Sequence, residues 1–259
     1  MGTIEYRFLF EGMAPLRFQV PLDRTESSPT SSGPHSDWAR LCTHQCPGCT
    51  LKATHHAYCP AAVDLEPIVE QFKTVLSYQS VTVEVITPQR NYSKKCDVQT
   101  GLRSLIGLIM STSSCPWYSQ LRGLAQSHLP FANMEETLFR VTGAYLMQQY
   151  CEARAGRPAD LMLKNLEFLY EGLWQANQFF KKRLELASVR DANVNALGGL
   201  SMISLGVSFS LQEDLGRIQQ QFWGYPIGLP TSESGNPSSS LGPSSREQIP
   251  SLQPSPLAA

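Results

Sequence analysis

The chain has 259 residues, of which 42% are hydrophobic and 17% are charged, and its formal net charge at pH 7 is −1. This length can bury a substantial core, and a charge so near zero provides no overall attraction to nucleic acid or to an anionic membrane. The first residues lack the basic region and the apolar run of a secretory signal, and the most apolar stretch, residues 196–211, is too short to span a bilayer. We therefore expect a cytoplasmic protein that does not enter a membrane.

Alternating apolar residues predict two pairs of β-strands near the N-terminus. Residues 3–10 and 16–20 alternate on either side of a turn-forming segment, which is typical of a β-hairpin. Residues 81–87 and 92–96 form a second such pair, and a helix capped by Asp64 is expected between the two pairs. We expect the four strands to form one antiparallel sheet.

From Asp97 onward the apolar residues recur with a helical period. Asn133 and Glu136 have the spacing of a capping box, and a long stripe within residues 160–190 predicts a helix packed along one seam. Asp191 begins the last amphipathic segment. The predicted fold class is α+β, in which a small antiparallel sheet of about four strands and a Cys-rich loop pack on a helical C-terminal part.

The composition divides the chain into three stretches. Residues 1–96 are a β-rich part that carries the Cys-rich loop, and residues 97–228 are a helical part that continues the same globular unit. Residues 229–259 are dominated by Ser, Pro and Gly and show no periodicity, so we predict a disordered tail. Residues 24–37 are interpreted as a low-complexity loop.

The Cys-rich loop carries four of the seven cysteines and three of the five histidines within residues 42–59. Cys46 and Cys49 have the C-x2-C spacing that lets two thiolates converge on one metal ion, and Cys59 is the natural third ligand. The candidates for the fourth position are Cys42, His44, His55, His56 and the distant Cys115. We rank Cys115 first, because it begins a predicted helix whose N-terminal dipole favours a thiolate.

These ligands favour Zn²⁺, with an iron–sulfur cluster as the alternative cofactor. The cluster would use the same four thiolates, and Cys46, Cys59 and Cys115 are each followed by proline, as is the last ligand of bacterial ferredoxins. A zinc site closed by four thiolates leaves no position for water, so we expect a structural rather than a catalytic metal. The competing interpretation is that the thiols are ordinary loop residues or a labile disulfide.

The resulting functional hypothesis is a metalloprotein with an interaction or regulatory role and an unidentified protein partner. No P-loop, nucleophile elbow or H-E-x-x-H motif occurs, so catalytic residues are unknown and enzymatic activity is left undecided. An iron–sulfur redox or sensor protein is the first alternative.

The second alternative is a module that binds an anion or a nucleic acid. Arg90, Tyr92 and Lys94 alternate along a predicted strand and would share one face, with the tyrosine as a stacking platform. A solvated sheet face or a basic strand edge explains this pattern better, and the net charge disfavours nucleic acid.

His128, at the end of a predicted helix, is expected to stabilise the helix dipole. Asp191 is expected to be a helix cap or a hydrogen-bonding residue, since the calcium loop that it would begin lacks the glycine and the final glutamate.

Several short motifs together resemble one bacterial family that is known only as a domain of unknown function. The motifs are His44-Gln-Cys46-Pro-x-Cys49, Tyr58-Cys59-Pro60, Arg90-x-Tyr92-x-Lys94, Cys115-Pro116, His128-Leu-Pro-Phe-Ala132 and Asp191-Ala-Asn-Val-Asn-Ala196. The resemblance covers about residues 3–210, and this chain departs from the family pattern at Ser114, where the family has glycine. It implies that Cys46, Cys49, Cys59 and Cys115 belong to the shared motifs while Cys42, Cys96 and Cys151 do not. It implies no activity.

Overall fold

The computed structural model describes residues 2–24, 34–213 and 215, and within them the N-terminal strands form the predicted sheet. The strands are β1 (Thr3–Leu9), β2 (Leu16–Pro21), β3 (Ser80–Ile86) and β4 (Asn91–Asp97). All neighbouring pairs are antiparallel, in the order β2-β1-β3-β4, so β4 is an edge strand. The prediction of four antiparallel strands is confirmed.

The alternation along each strand places one face of the sheet in the core. Tyr6 and Phe8 of β1 are fully buried, as are Val83 and Val85 of β3, which lie opposite them in the register. A helix packs closely on this face, because a Cβ added at Gly101 would lie 2.7 Å from a methyl group of Val83. The sheet therefore contributes one apolar layer and helices cover it.

Besides the sheet, the described residues contain six α-helices and two short 3-10 helices, joined by turns and loops. The α-helices are α1 (Pro60–Phe72), α2 (Val98–Thr112), α3 (Arg122–Ala125), α4 (Met134–Arg154), α5 (Lys164–Ala187) and α6 (Ala192–Gln212), and the 3-10 helices span Asp37–Ala39 and Tyr118–Leu121. The α+β class is confirmed. The predicted tail at 229–259 and residues 25–33 of the predicted loop lie outside the described residues.

Helix α1 begins five residues earlier than expected. The helix starts at Pro60, with Cys59 as its N-cap residue, so the prediction that Asp64 caps this helix is wrong. Proline is favoured at the first helical position because its missing N–H has no partner there. The earlier start places the Cys59 side chain at the positive end of a helix of 13 residues.

The other helix boundaries agree more closely with the sequence pattern. Asn133 and Glu136 form the predicted capping box, with hydrogen bonds of 2.8 and 2.9 Å. Asp191 precedes α6 without capping it and instead accepts hydrogen bonds from the backbone N–H and the hydroxyl of Ser77, at 2.9 and 2.8 Å. The expectation that Asp191 is a hydrogen-bonding residue is confirmed. Its bonds fasten α6 to the turn that precedes β3.

By length and composition alone, α6 could cross a membrane. Its most apolar window is 39% buried inside the protein, and a core helix of a soluble protein meets the same criterion. Buried serines such as Ser201 and Ser204 hydrogen-bond to Gln178 and Asn177 of α5. The helix therefore packs against its neighbour through polar as well as apolar contacts.

Candidate functional site

The C-x2-C segment of the Cys-rich loop forms a tight turn. The N–H of Cys49 donates to the carbonyl oxygen of Cys46 at 3.2 Å, and Gly48 adopts a φ of +68°. A side chain at position 48 would be strained by this backbone conformation, and its Cβ would also lie 2.8 Å from the ring of Trp117. The turn therefore holds two half-buried cysteines close together.

Cys59 joins the same loop to the start of α1. Its N–H donates to the carbonyl oxygen of Ala39 at 2.8 Å, and its side chain is only 6% exposed. Burial raises the pKa of the Cys59 thiol, while Arg183 and the N–H groups of Ala61 and Ala62 oppose the rise by favouring the thiolate. No side-chain capping hydrogen bond of normal geometry is formed. The sulfur of Cys59 thus faces a positive electrostatic environment.

Cys115 approaches the same region from the segment after α2. Its N–H donates to the hydroxyl of Ser113 at 3.1 Å, and its side chain is 6% exposed. Burial raises the pKa of Cys115 to about 12, and the N–H groups of Trp117 and Tyr118 partly oppose the rise. The prediction that a helix begins at Cys115 is wrong. A turn follows this residue, and the 3-10 helix Tyr118–Leu121 begins only after Pro116 and Trp117.

The structure brings the four sequence-predicted ligands into one neighbourhood. The pKa of Cys46 is raised to about 12, first by burial and then by the negative charges that Cys59 and Cys49 would carry. The pKa of Cys115 is raised in the same way by Cys59 and Cys46. Such charge–charge effects weaken with distance, so the four thiols lie in the same region of the fold although they come from three separate segments.

The neighbouring thiols are not a preformed metal site. All four are free cysteines, and among the described residues no three His, Cys, Asp or Glu side chains are arranged to hold a metal ion. The sulfur of Cys46 instead donates a hydrogen bond to the carbonyl oxygen of Ala176 on α5, at 3.7 Å. In this arrangement the buried thiols are protonated at neutral pH, because burial raises the pKa of Cys46 and of Cys115.

Arg183 is a buried cation beside these thiols. The residue is 1% exposed, and its guanidinium donates to the carbonyl oxygens of Trp38, Arg40 and Leu41 at 3.1, 2.6 and 2.9 Å. Its Nε has no hydrogen-bond partner, and the described part of the chain contains no ion pair between Arg183 and a carboxylate. Its charge opposes the rise that burial causes in the pKa values of Cys46 and Cys59. The thiols therefore lie next to a fixed positive charge that lacks a counter-ion.

Trp117 fills the space between the C-x2-C turn and α5. Its indole N–H donates to the carbonyl oxygen of Pro47 at 3.0 Å. On the other side, a Cβ added at Gly172 of α5 would lie 2.3 Å from the indole ring. Glycine at positions 48 and 172 therefore allows the ring to contact both the loop and the helix.

The remaining cysteines and the clustered histidines lie outside the group of four thiols. Cys42 and Cys151 are exposed, and Cys96 lies in β4, where its charged neighbours are Asp97, Lys94 and Arg103. His55 and His56 are exposed, and His44 has a left-handed φ of 45°. The expectation that Cys42 is not a ligand remains a prediction, and its exposure agrees with it.

The basic residues Lys94 and Lys95 of the edge strand β4 are exposed. Tyr92 and Lys94 lie opposite Val85 and Val83 and so point to the same side of the sheet, where Tyr92 is half-buried. The ammonium group of Lys94 lies 5.8 Å above the ring of Phe131, and Arg90 donates to the hydroxyl of Tyr92 at 3.4 Å. The alternative of an anion-binding or nucleic-acid-binding face on this strand stays a prediction.

Sequence reasoning did not find Arg183 and Trp117, which shape the site most. Arg183 lies three residues after Phe180 on the buried stripe of α5. A charged residue within an apolar stripe is the sequence feature that would have indicated a buried cation. Trp117 follows the Cys115-Pro116 motif directly, and the sequence offers no sign that its partner is a glycine 55 residues later.

Comparison with models of known protein families shows to which family the chain belongs. The family described as "Domain of unknown function (DUF6901)" matches residues 4–223. The chain belongs to this family. The resemblance to a family of unknown function is thereby confirmed, and the four cysteines lie within the matched range. Curated proteins and solved structures give no match to the chain.

Proposed function

We propose that Cys46, Cys49, Cys59 and Cys115 bind one zinc ion that fastens the Cys-rich loop to the helical part of the DUF6901 domain. The observation that supports the proposal is that Cys59 affects the pKa of both Cys46 and Cys115, while Cys49, held in a tight turn with Cys46, affects the pKa of Cys46 and of Cys59. Four thiolates make a closed tetrahedral site, which suits a structural ion.

The charges around the site support a thiolate-bound metal. A zinc ion with four thiolates has a net charge of −2, which is costly to bury without compensation. Arg183 provides a buried positive charge beside Cys46 and Cys59, and it has no carboxylate partner in the described residues. The N–H groups at the start of α1 and after Cys115 add to this positive field.

Metal binding would require the four thiols to rearrange. The Cys46 thiol must give up its hydrogen bond to Ala176, and the four sulfur atoms must approach to within about 4 Å of one another for Zn–S bonds of ~2.3 Å. Deprotonation of the thiols would release protons as the metal binds. A reducing compartment such as the cytoplasm keeps these cysteines available as ligands.

A closed structural site leaves no open coordination position, so the proposed role of the domain is interaction or regulation with a protein partner. The ion would cross-link residues that are about 60 positions apart and would hold the surface near the loop in one conformation. This proposed role depends on the zinc site, so the presence of the zinc ion has to be tested first.

The test is metal analysis of untagged protein that has been purified anaerobically without added metal. We expect one zinc per chain in the wild type and in Cys42→Ser, which removes an exposed cysteine of the same loop. Cys115→Ser should contain little zinc, because the remaining three thiolates do not close the site.

The same preparations separate zinc from the alternative cofactor. A visible absorption band together with iron and sulfide in the wild type would replace zinc by an iron–sulfur cluster at the same thiols. Wild-type protein without any bound metal, or Cys115→Ser protein that keeps its zinc, would refute the proposal.

A further inference from the structure

A cavity of about 160 Å³ lies among the helices, bordering the thiol group through Tyr118. Its walls are mostly apolar and come from α2, α4, α5 and α6 and from the segment that joins α3 to α4. Leu108 and Leu173 are buried in its wall, while Thr137 and Ala132 are partly exposed. The cavity therefore combines an apolar interior with access from the surface.

The polar residues in this cavity are biased towards positive charge. Two arginines, Arg103 and Arg140, line it, and none of its lining residues carries a carboxylate. Lys94 adds a third cation nearby, since its ammonium group lies over the ring of Phe131, which also lines the cavity. Asp97 is the acidic group whose charge interacts with Arg103, but no ion pair joins these two residues.

Arg140 has one hydrogen-bond partner and one buried donor that is unused. One of its terminal nitrogens donates to the carbonyl oxygen of Ser127 at 3.0 Å, while its Nε is buried and has no hydrogen-bond partner. Burial lowers the pKa of Arg140, and only Tyr170 and Tyr92 oppose the shift, so no carboxylate stabilises this charge. Arg140 is half-buried, and a buried donor such as its Nε is costly to leave without a partner.

His128 lies in the same wall and is neutral. Its Nε2 forms a hydrogen bond of 2.6 Å with the hydroxyl of Tyr6, which also bonds Ser104 at 2.7 Å. Burial, followed by the charge of Arg140, lowers the pKa of His128 to about 3. The expectation that His128 stabilises a helix dipole as a cation is therefore wrong. The positive charge of the cavity comes from its arginines.

From this arrangement we infer that the cavity binds a small organic anion, a carboxylate on a compact apolar body, with Arg140 as the main anchor of the carboxylate. A guanidinium can donate two parallel hydrogen bonds to a carboxylate, which would use the free donor of Arg140. The apolar body would lie against Leu108, Leu173 and their neighbours.

The cavity volume sets the size of the ligand. An apolar cavity of about 150 Å³ accommodates a benzene molecule. The ligand therefore has a body of roughly six carbon atoms, and benzoate and hexanoate are suitable probes.

The experiment is a calorimetric titration of the full chain with benzoate, hexanoate, benzamide and inorganic phosphate. We expect benzoate or hexanoate to bind more tightly than benzamide, which lacks the charge, and than phosphate, which lacks the apolar body. Arg140→Gln should weaken benzoate binding by about tenfold to a hundredfold, because a hydrogen-bonded charge pair is lost.

Two further variants test the location of the site. Arg154→Gln removes an exposed arginine from the same helix and should leave benzoate binding unchanged. Ala132→Leu fills the cavity from its partly exposed wall without changing any charge, and it should weaken all organic probes alike. Circular dichroism verifies that each variant is folded.

The inference fails if neither benzoate nor hexanoate binds to the folded wild type. It also fails if phosphate binds as tightly as benzoate, or if folded Arg140→Gln and Ala132→Leu proteins both bind benzoate like the wild type.

Discussion

The indole N–H of Trp117 donates a hydrogen bond of 3.0 Å to the carbonyl oxygen of Pro47, a residue 70 positions earlier in the chain. This bond joins the C-x2-C turn to the segment that carries Cys115. The opposite side of the ring packs on Gly172 of α5, where a Cβ would lie 2.3 Å from the ring. Trp117 thus connects the Cys-rich loop to the helical part without any metal.

Gly172→Ala should destabilise the protein by roughly 1–3 kcal/mol, because the new methyl group overlaps the ring of Trp117. Gly143→Ala is the matched control on α4, since a Cβ at this position would meet nothing within 4 Å. The control should stabilise the fold by about 0.5–1 kcal/mol through helix propensity. Urea denaturation of both variants measures the difference, and equal effects would contradict the packing of Trp117 on Gly172.

Arg183→Met should lower the free energy of unfolding by roughly 2–5 kcal/mol, because three carbonyl oxygens lose a charged donor. Arg183→Lys should recover part of the loss, since an ammonium group retains the charge but not the forked geometry. Lys182→Met, at the exposed neighbouring position, serves as the control and should change stability little. Chemical denaturation of metal-free protein is the measurement, and an Arg183→Met variant as stable as its control would contradict this role.

The rate of cysteine alkylation should be higher for the exposed thiols than for the buried ones. In metal-free protein at pH 8, iodoacetamide should modify the exposed Cys42 and Cys151 quickly and Cys46 and Cys115 slowly. Burial raises the pKa values of Cys46 and Cys115 to about 12, and the thiolate is the reactive form. Mass spectrometry of peptides over a time course gives the rates, and rapid labelling of Cys115 in folded protein would contradict its burial.

The buried His128 should make the fold sensitive to mild acid. The unfolded chain takes up a proton at this histidine near pH 6.5, whereas the folded chain does so only near pH 3. Protonation therefore favours the unfolded state, so this contribution to stability is complete above pH 6.5 and decreases as the pH falls towards 3. The loss is at most about 1.4 kcal/mol per pH unit below 6.5.

His128→Gln keeps a hydrogen-bonding group for Tyr6 but does not titrate. Between pH 6.5 and about 4.5, above the range in which most carboxylates titrate, the stability of this variant should change less with pH than that of the wild type. Thermal unfolding at several pH values is the measurement. Identical pH profiles would show that the neighbouring groups Arg140, Tyr6 and Ser104 do not keep His128 neutral.

The sequence predicts the local features of this fold because local features follow from periodicity. Strict alternation in residues 3–10 can bury only one face, so the strand and its register follow from it. The start of α1 was misjudged because Asp64 is a common capping residue, although Cys59-Pro60 contains the stronger signal of proline at the first helical position.

The surroundings of the thiols could not be predicted in the same way. The spacing of Cys46 and Cys49 is local, whereas the choice of Cys115 as fourth ligand rests on a predicted helix dipole and is supported by the resemblance to a family. The contacts of Arg183 with Trp38 and Leu41 join residues more than 140 positions apart, and nothing in a helical period specifies such partners. The cavity around Arg140 likewise depends on how four helices meet.

Tyr118 is a buried residue shared by the two proposed sites. Its ring lines the cavity, its hydroxyl donates to Asn177 at 2.8 Å, and its pKa is raised first by burial and then by Cys46, Cys115 and Cys59. A shift of this ring on metal uptake would alter the affinity of the cavity for its anion. By thermodynamic reciprocity, the anion would then change the metal affinity by the same factor, so the domain would report on two chemical signals jointly.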